Sequence, residues 1–357
     1  MIFSIDKNIP LLKDTLIRKY EVHEFIGNEL TNDDLLKTKT DCLIVRSTIK
    51  VNRNLLQNTN VKFVATATAG FDHIDLQYLK ENNIKLCIAS GANSNSVAEY
   101  IIYSILLWIK HRKKSINELT VGIIGYGNIG KKVRIYLDTM GIKTLINDPP
   151  LEDAANNHNF FSSLETLINE SNIITIHTPL TKTGRYKTLD LINSEVLYKI
   201  NSGSLLINAA RGGIVDETTL LKLKDNIDYI IDVWQNEPDY NTEIAKTAVL
   251  ATPHIAGHSY EGKLKATEII VNALNEIYNL NLSKDRIINE IKGNNILEIK
   301  DFSNIDTIFS SLHKNRQLYS DQEFLLSISD NPNKINMFKQ FRDKYPIRRE
   351  TLFLKNL

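Results

Sequence analysis

The sequence has little of what marks secreted, disulfide-bonded or membrane-spanning proteins. It contains only two cysteines, Cys42 and Cys87, each inside an apolar run, so we expect reduced core residues rather than a disulfide. Its start carries Asp6 and Lys7 and lacks a long apolar core, so no signal peptide is predicted. The most apolar helical stretch is uncharged over only about nine residues, 101–109, too few to cross a bilayer. These absences predict a soluble, cytoplasmic protein with no membrane partner.

The sequence also lacks an excess of either charge and the patterns of a metal site. Its 43 Lys and Arg residues balance 42 Asp and Glu residues, for a formal net charge of +1. The net charge therefore shows no excess of basic residues of the kind that proteins use to bind nucleic acid. The short basic cluster 111–114 is typical of solvated surface. No HExxH, CxxC or clustered carboxylates occur, so we predict no metal ion. Ser47 and Ser259 have no nucleophile-elbow context around them.

What the sequence does contain is a regular alternation of short apolar runs and helical patterns. With 42% hydrophobic and 24% charged residues the composition is that of a globular protein, and 357 residues exceed one typical domain. In residues 1–95 the alternation predicts parallel strands covered by helices on both faces. The predicted strands of this part are 2–5, 22–26, 41–45, 61–67 and 84–89. It carries no dinucleotide fingerprint.

A Gly-x-Gly-x-x-Gly motif after the apolar run 121–124, a predicted strand, predicts a dinucleotide site. Gly125 permits a tight turn, Gly127 lets the backbone approach a pyrophosphate, and Gly130 lets the following helix pack close to the strand. The helix predicted for 131–140 offers unpaired N–H groups and a partial positive charge to the phosphates at its N-terminus, and Asn128 and Ile129 of the turn before it are expected to contact the cofactor. Because glycines also occur in ordinary turns, the motif gains its weight from the strand before it and the helix after it.

A second predicted strand in this part of the chain ends at Asp148. This residue lies 23 positions past the first glycine (148 − 125), close to where a carboxylate accepts hydrogen bonds from a ribose in such sites. Its negative charge would repel a 2′-phosphate, so we predict NAD rather than NADP as the cofactor. Further strands are predicted at 173–177, 204–208, 229–232 and 249–251, each ending near a polar residue. In open parallel sheets ligands gather at these carboxyl ends.

The order of these segments predicts an α/β protein of two doubly wound parallel-sheet domains and a smaller third one. A Rossmann-type NAD domain would be inserted in a flavodoxin-like substrate domain, because the long amphipathic helix 262–280 leads back to the first unit. The predicted bounds are 1–95 and 256–286 for the substrate domain and 96–255 for the NAD domain. Residues 287–357, with a strand at 296–299, are predicted to form a small α+β dimerisation domain; a mobile appendage is the alternative.

Three residues after predicted strands suit the oxidation of an alcohol. Such a reaction needs a base for the hydroxyl proton, and His254 fills that role near neutral pH, with Glu237 to orient it. Arg211 would grip a substrate carboxylate in two parallel hydrogen bonds. The alternative for this arginine is a loop residue paired with Asp216. Asp232, at a strand end, would contact the nicotinamide end of a dinucleotide.

Two further histidines lie close to these segments. His177 ends a predicted strand and either lines the cofactor groove or is structural, the second being the commoner case. His258 lies four residues past His254 and is expected to reach the same site. The remaining histidines have no constellation of polar residues around them.

Four of these segments, in this order and spacing, resemble the signatures of the D-2-hydroxyacid dehydrogenase family: 125–130, 208–212, 232–238 and 253–254. More narrowly, the chain is similar to the erythronate-4-phosphate dehydrogenase family of the vitamin B6 pathway. That similarity rests on the segments 45–52, 65–70, 141–150, 177–188 and 254–257. It covers residues 1 to about 285, and the tail resembles that family's C-terminal dimerisation domain only loosely.

The resemblance implies an NAD-dependent oxidation of 4-phospho-D-erythronate to the 2-oxo acid. By position it makes His254 the proton acceptor, Glu237 its partner and Arg211 the carboxylate anchor. It also implies contacts to NAD from Asp148, Thr178, Asp232 and Gly257, and contacts to the substrate from Ser47 and Thr68. One position departs from the family: His258 stands where a tyrosine is usual. A histidine still donates a hydrogen bond over a shorter reach, so the substrate fit is affected and the hydride chemistry is not.

Basic residues at two places bear on a phosphorylated substrate. Arg46 and Lys50 flank Ser47 near a strand end, where they form either an anion site or a solvated basic loop. Arg348 and Arg349 are candidates to reach a partner's cleft in a homodimer.

Two alternatives remain at this point. One is another D-2-hydroxyacid dehydrogenase, such as a phosphoglycerate dehydrogenase or a glyoxylate/hydroxypyruvate reductase. The other is an NAD-sensing binding protein with little turnover, against which the intact set of Arg211, Glu237 and His254 counts.

Overall fold

The described residues of a computed structural model, 1–155, 160–292 and 304–352, form two compact units. The first contains Met1–Asn93 and the described residues from Ser259 to Lys292; the second contains Ser94–His258 and residues 304–352. Both changes of unit fall at the start of a long helix, the first at Ser94 and the second beside the cap residue Ser259. The predicted changes, after residues 95 and 255, lie within three residues of these positions.

The first unit is a five-stranded sheet in which all strand pairs are parallel, in the order β2-β1-β3-β4-β5. This is the flavodoxin-like order. Its strands are β1 (Ile2–Asp6), β2 (Glu21–Phe25), β3 (Cys42–Val45), β4 (Phe63–Thr66) and β5 (Lys85–Ile88). Its helices are α1 (Leu12–Leu16), α2 (Asn32–Thr38), α3 (Arg53–Leu56), α4 (Leu76–Glu81), α12 (Tyr260–Tyr278) and α13 (Asp285–Lys292).

Alternate residues of β3 explain why this sheet is covered on both faces. Ile44 packs with Phe3 and α12 residues on one face, while Leu43 and Val45 pack with α2–α4 residues on the other. All four residues of β3 are buried, as expected for a strand that is covered on both sides. Cys42 and Cys87 are free thiols in the first of these clusters, and burial raises their pKa values to about 12 and about 11. They are core residues, as predicted.

The second unit has a six-stranded sheet of parallel pairs in the order β11-β10-β9-β8-β6-β7. The direction of winding reverses beside β6, which is where dinucleotides bind in such sheets. Its strands are β6 (Thr120–Ile124), β7 (Lys143–Asn147), β8 (Ile173–Ile176), β9 (Leu205–Asn208), β10 (Asp228–Ile231) and β11 (Leu250–Ala251). Its helices are α5 (Ser94–Arg112), α6 (Asn128–Thr139), α7 (Pro149–Ala155), α8 (Leu164–Glu170), α9 (Ser194–Leu197), α10 (Glu217–Lys222), α11 (Thr242–Thr247), α14 (Ile305–Arg316), α15 (Leu318–Ser327) and α16 (Lys334–Asp343).

Helix α5 is buried along almost its whole length, which its apolar sequence predicts. Its side chains form one core cluster with those of β6, α6 and α14. None of the helices in residues 1–155, 160–292 and 304–352 is long and apolar enough to span a bilayer.

The C-terminal region differs from the predicted separate α+β domain of residues 287–357. Its described elements are helices, and α13 lies in the first unit while residues 304–352 belong to the second. Leu312 joins the core around α5, and Phe338 joins the core on the other face of the second sheet. Helices this short cannot bury a sufficient core of their own, so they complete that of a neighbour. The predicted strand 296–299 lies outside the described residues.

Candidate active site

The predicted cofactor and catalytic residues of the second unit all follow strands at one edge of its sheet. Because the strands are parallel, their carboxyl ends meet at the same edge. In strand order from β6 to β11, these residues are the glycine turn 125–130, Asp148, Thr178, Arg211, Asp232 with Glu237, and His254 with Gly257. The fold therefore gathers them without any further element.

The glycine turn after β6 fits the phosphates of a dinucleotide. Gly125 has φ +93°, and a Cβ there would lie 2.8 Å from the carbonyl carbon of His177. A Cβ on Gly130 would lie 2.1 Å from the Gly125 oxygen, whereas one on Gly127 would meet nothing within 4 Å. Two glycines are thus required for packing, and the third leaves open space above the first turn of α6, formed by Asn128 and Ile129. No side chain caps this N-terminus, so its N–H groups suit an anion.

Asp148 follows β7 and is tied to the glycine turn. Its Oδ2 accepts the N–H of Tyr126 at 2.7 Å, and its Oδ1 accepts the N–H of Leu151 at 3.0 Å. A carboxylate has about four lone-pair directions, so it retains acceptor capacity for the hydroxyls of a ribose. The position fits the predicted ribose contact.

Beside Asp148 lies an apolar recess of about 460 Å³ that the sequence analysis did not identify. It is lined by Tyr126, Lys131, Leu151, Ala154, Ala155, Phe160 and Phe161. The rings of Tyr126 and Phe160 lie 5.3 Å apart, and the guanidinium of Arg134 lies 4.6 Å from the Phe160 ring. An aromatic recess next to a ribose site suits a nucleobase. The tyrosine inside the glycine motif was the available signal.

His177 and Thr178 follow β8 and play different parts. Burial lowers the pKa of His177 to about 3, so its ring stays neutral, with Nε2 3.1 Å from the Thr175 hydroxyl. This supports the structural alternative for His177. The buried Thr178 hydroxyl has no hydrogen-bond partner among the described residues, which fits the predicted contact to a cofactor.

The loop after β9 carries Arg211 and packs closely against the segment after β10. The Asn208 side chain folds this loop: its amide donates to the Arg211 carbonyl at 3.0 Å, and its oxygen accepts the Ala210 N–H. A Cβ on Gly212 would lie 1.8 Å from the Trp234 carbonyl oxygen, so only glycine permits this approach. Asp216, the alternative partner of the arginine, caps α10 by accepting two backbone N–H groups.

Glu237 and His254 form the pair that the sequence predicts. The imidazole Nδ1 lies 2.8 Å from each Glu237 carboxylate oxygen, and the side chains are 31% and 19% exposed for His254 and Glu237. Because Nδ1 donates to the carboxylate, Nε2 is the nitrogen that is left to accept a proton. Burial raises the pKa of Glu237, but the positive charges of His254 and Arg342 outweigh it, and the net pKa lies below the usual value.

Asp232 holds the loop that carries His254. Its two oxygens accept the N–H groups of Ile255 at 2.8 Å and Ala256 at 2.9 Å, and Oδ1 also accepts the Thr252 hydroxyl. His254 itself has φ +57°, a conformation that non-glycine residues adopt only when the surroundings hold it. Asp232 therefore has a positioning role that the predicted nicotinamide contact did not include.

Arg342 makes a contact to Glu237 that the sequence does not predict. It lies on α16, and its Nη1 donates to Glu237 Oε1 at 2.8 Å. The two residues are 105 positions apart in the chain, so no local spacing links them.

His258 packs against the C-terminal region. Its ring centroid lies 5.3 Å from that of Tyr345, whose hydroxyl donates to Asp321 at 2.6 Å. The neighbouring Arg348 is almost fully buried and also donates to Asp321, at 3.1 Å. Arg348 thus serves the interior of its own chain, which accounts for it without the predicted contact to a partner.

The predicted substrate residues Ser47 and Thr68 belong to the first unit. Ser47 is exposed just after β3, and Thr68 follows β4, with its hydroxyl donating to the Gly70 carbonyl at 3.0 Å. Both therefore lie at the carboxyl edge of the first sheet. Across residues 1–155, 160–292 and 304–352, no group of three or more His, Cys, Asp or Glu side chains is arranged to hold a metal ion.

Comparison with known proteins identifies a family and two relatives that are similar to this chain. The family described as "D-isomer specific 2-hydroxyacid dehydrogenase, NAD binding domain" matches residues 107–256. Two erythronate-4-phosphate dehydrogenases are similar to the chain, one from Wigglesworthia glossinidia brevipalpis at 39% identity and one from Bacteroides thetaiotaomicron at 35%. The first match covers 97% of this chain and 93% of the relative; the second covers 97% and 96%.

A solved structure with a bound cofactor is also similar. It is the D-lactate dehydrogenase of Aquifex aeolicus, complexed with NAD and lactic acid, at 25% identity and a TM-score of 0.65. The match covers 82% of this chain and 98% of that one. This protein therefore belongs to the D-isomer specific 2-hydroxyacid dehydrogenase family.

Proposed function

We propose that this protein oxidises 4-phospho-D-erythronate to its 2-oxo acid with NAD, a step of vitamin B6 biosynthesis. The observation that carries the proposal is the Glu237–His254 pair, joined at 2.8 Å, on the sheet edge that also carries the glycine turn. The choice of substrate is supported by the names of two relatives that match almost the whole chain. The family of the second unit supports NAD.

His254 takes the proton of the substrate's C2 hydroxyl on Nε2, and the C2–H bond breaks with its electron pair. Bound NAD supplies the acceptor for that hydride. Glu237 accepts a hydrogen bond from the Nδ1–H group of His254. Because its carboxylate stays charged, it stabilises the imidazolium that forms. In the reverse direction the same imidazolium returns the proton to the carbonyl oxygen.

Arg211 anchors the substrate carboxylate in this proposal. Its loop is fixed on both sides, by the Asn208 side chain and by the close approach at Gly212. The Arg211 Nη1 donates to the Ala210 carbonyl at 2.8 Å, and a guanidinium on a fixed loop suits binding of a carboxylate and therefore sets the orientation of C2. The cofactor is held by the glycine turn, Asp148, Thr178, Asp232 and Gly257.

The first unit supplies further candidate contacts to the substrate, Ser47 and Thr68, and carries a candidate site for an anion. Arg46 follows β3 and its Nε donates to the buried Asp6 at 3.0 Å, which holds the guanidinium in place. Partial desolvation and the charge of Arg46 lower the pKa of Lys263. Two cations that oppose each other's charge are stabilised by a phosphate dianion between them. This supports the anion site over the solvated loop.

We also propose that the protein acts in the cytoplasm as a homodimer. The support comes from its composition and from the loose likeness of its tail to a dimerisation domain. Light scattering of the purified protein measures the mass directly, and a monomer at micromolar concentration would contradict this part of the proposal.

The function is tested with a panel of 2-hydroxy acids and NAD, followed by NADH absorbance. The panel contains 4-phospho-D-erythronate, D-erythronate, 3-phosphoglycerate, glycerate and D-lactate. We expect the highest kcat/KM on the first, whereas a highest value on 3-phosphoglycerate or glycerate would identify a different 2-hydroxyacid dehydrogenase. NAD binding without turnover on any of the five would favour a sensing role.

A further inference from the structure

The Glu237 carboxylate has a second cationic partner besides His254. Arg342 donates through Nη1 to Oε1 at 2.8 Å, the same oxygen that lies 2.8 Å from His254 Nδ1. The Arg342 side chain is 31% exposed and that of Glu237 is 19% exposed, so the contact is only partly screened by water. The negative charge of Glu237 is therefore shared between two groups.

Helix α16 is fixed to the segment that carries Glu237, so this contact is not an accident of a free surface side chain. Phe338 of α16 is fully buried, with its ring 5.7 Å from that of Tyr240. Tyr240 in turn lies 5.2 Å from the ring of Trp234. Lys334, at the start of the helix, pairs with Asp239 at 2.8 Å. Two contacts just after Glu237, to Asp239 and Tyr240, therefore hold α16 in place.

Sharing the carboxylate has a definite consequence for His254. A carboxylate partner stabilises the imidazolium, and a guanidinium on the same oxygen weakens that stabilisation. Within the described ranges, the charged groups that act on Glu237 are His254, on the loop after β11, and Arg342, on α16. Asp232 contacts the His254 loop through the N–H groups of Ile255 and Ala256.

We propose that Arg342 is a positioning residue: it holds the Glu237 carboxylate against His254 and moderates the proton affinity of the imidazole. The C-terminal region thereby takes part in the chemistry of the second unit. The inference rests on the function proposed above for Glu237 and His254.

The test compares Arg342→Gln with Arg342→Lys and with Lys339→Gln. The last variant removes an exposed cation from the same helix and serves as the matched control. The first readout is the pH dependence of kcat/KM for hydroxy-acid oxidation, which needs a neutral His254. The second is the NMR titration of the His254 imidazole in the cofactor-free protein, assigned with a His254→Gln variant.

Without the guanidinium, His254 keeps its proton to higher pH. We expect the acid limb of the oxidation profile and the His254 titration midpoint to rise by about half a unit to one unit in Arg342→Gln. At acidic pH this is a loss of about three- to tenfold in rate. Reduction of the 2-oxo acid needs the imidazolium, so in Arg342→Gln its rate should persist to a pH that is higher by the same half unit to one unit. Arg342→Lys restores most of the shift, and Lys339→Gln leaves both readouts unchanged.

A uniform loss of kcat/KM with an unmoved acid limb and titration midpoint would show a purely structural role and overturn the proposal. If Arg342→Gln does not fold, the same measurements are made on Arg342→Met, because methionine keeps most of the apolar part of the arginine side chain and its packing. If the wild type oxidises no 2-hydroxy acid but the midpoint moves, the contact stands and the proposed function fails.

Discussion

The two units share one architecture and differ in the chemistry at the carboxyl edge of the sheet. Both have parallel sheets wound with helices on each face, in orders that reverse next to their first strand. The second unit follows its first strand with the glycine turn and carries the carboxylates Asp148, Asp232 and Glu237 at that edge. The first has no glycine turn after β1 and places the cation Arg46 after β3, in contact with Asp6.

This difference shows that the fold alone does not make a cofactor site. A parallel sheet supplies an edge where polar groups meet, and the residues after each strand decide what binds there. In the second unit they suit a dinucleotide and a proton transfer, and in the first they suit an anion.

The largest effect is expected from His254→Ala. Removing the base should lower kcat by about two to four orders of magnitude, the usual range for a lost acid–base group. NAD binding, measured by fluorescence titration, should survive because His254 is not in the glycine turn. His23→Ala, on the first unit, is the control and should leave both quantities unchanged. Turnover close to wild type in His254→Ala would show that His254 of the second unit is not the catalytic base.

Two alanine substitutions in the glycine turn separate cofactor binding from folding. Gly127→Ala places its Cβ in open space, so thermal stability should be kept while NAD binding weakens by about ten- to hundredfold from the lost room. Gly130→Ala drives a Cβ to 2.1 Å from the Gly125 oxygen and should lower the free energy of unfolding by about 1–3 kcal/mol. Equal melting temperatures for the two variants would show that Gly130 is not needed for packing.

Asp148→Asn tests the cofactor preference of the second unit. The loss of a charged acceptor should weaken NAD by about tenfold and should relax the exclusion of NADP. Asp138→Asn, on the exposed side of α6, is the matched control. The measurement is the ratio of the KM values for NADP and NAD. A ratio equal to that of the wild type would contradict the proposal that Asp148 contacts the ribose of the cofactor.

The smallest effect is expected in the first unit, from Lys263→Gln. If Lys263 and Arg46 hold the phosphate, KM for 4-phospho-D-erythronate should rise about three- to tenfold, since a partly exposed ion pair contributes about 1 kcal/mol. KM for the unphosphorylated acid and for NAD should not change. Lys80→Gln, an exposed lysine of α4, is the control. An equal rise for both acids would mean that the variant disturbs the unit as a whole.

Much of the fold followed from local patterns because the strands are buried on both faces. The runs predicted for 41–45 and 121–124 correspond to β3 and β6 within one residue at each end. A strand of a parallel sheet reads as a short apolar run, and its polar ends mark the binding edge. For the same reason the predicted order of Asp148, Arg211 and His254 along one edge agrees with the structure.

The rest depended on contacts between distant parts of the chain. The pairing of Arg342 with Glu237 spans 105 residues and has no spacing that a sequence pattern would show. The fully buried Arg316, 3.1 Å from Glu99, helps to fix the C-terminal helices to α5, although both residues look like surface charges in the sequence. A change in composition marks the start of this region in the sequence, but it does not reveal which core the described helices of 304–352 complete.

The central claim is that a phosphorylated 2-hydroxy acid is oxidised by the His254 site with NAD. The most direct measurement is the ratio of kcat/KM for 4-phospho-D-erythronate to that for D-erythronate, from NADH absorbance at one pH. Charge-assisted contacts to the phosphate predict a ratio on the order of 100 or more. Equal values for the two acids would contradict the account.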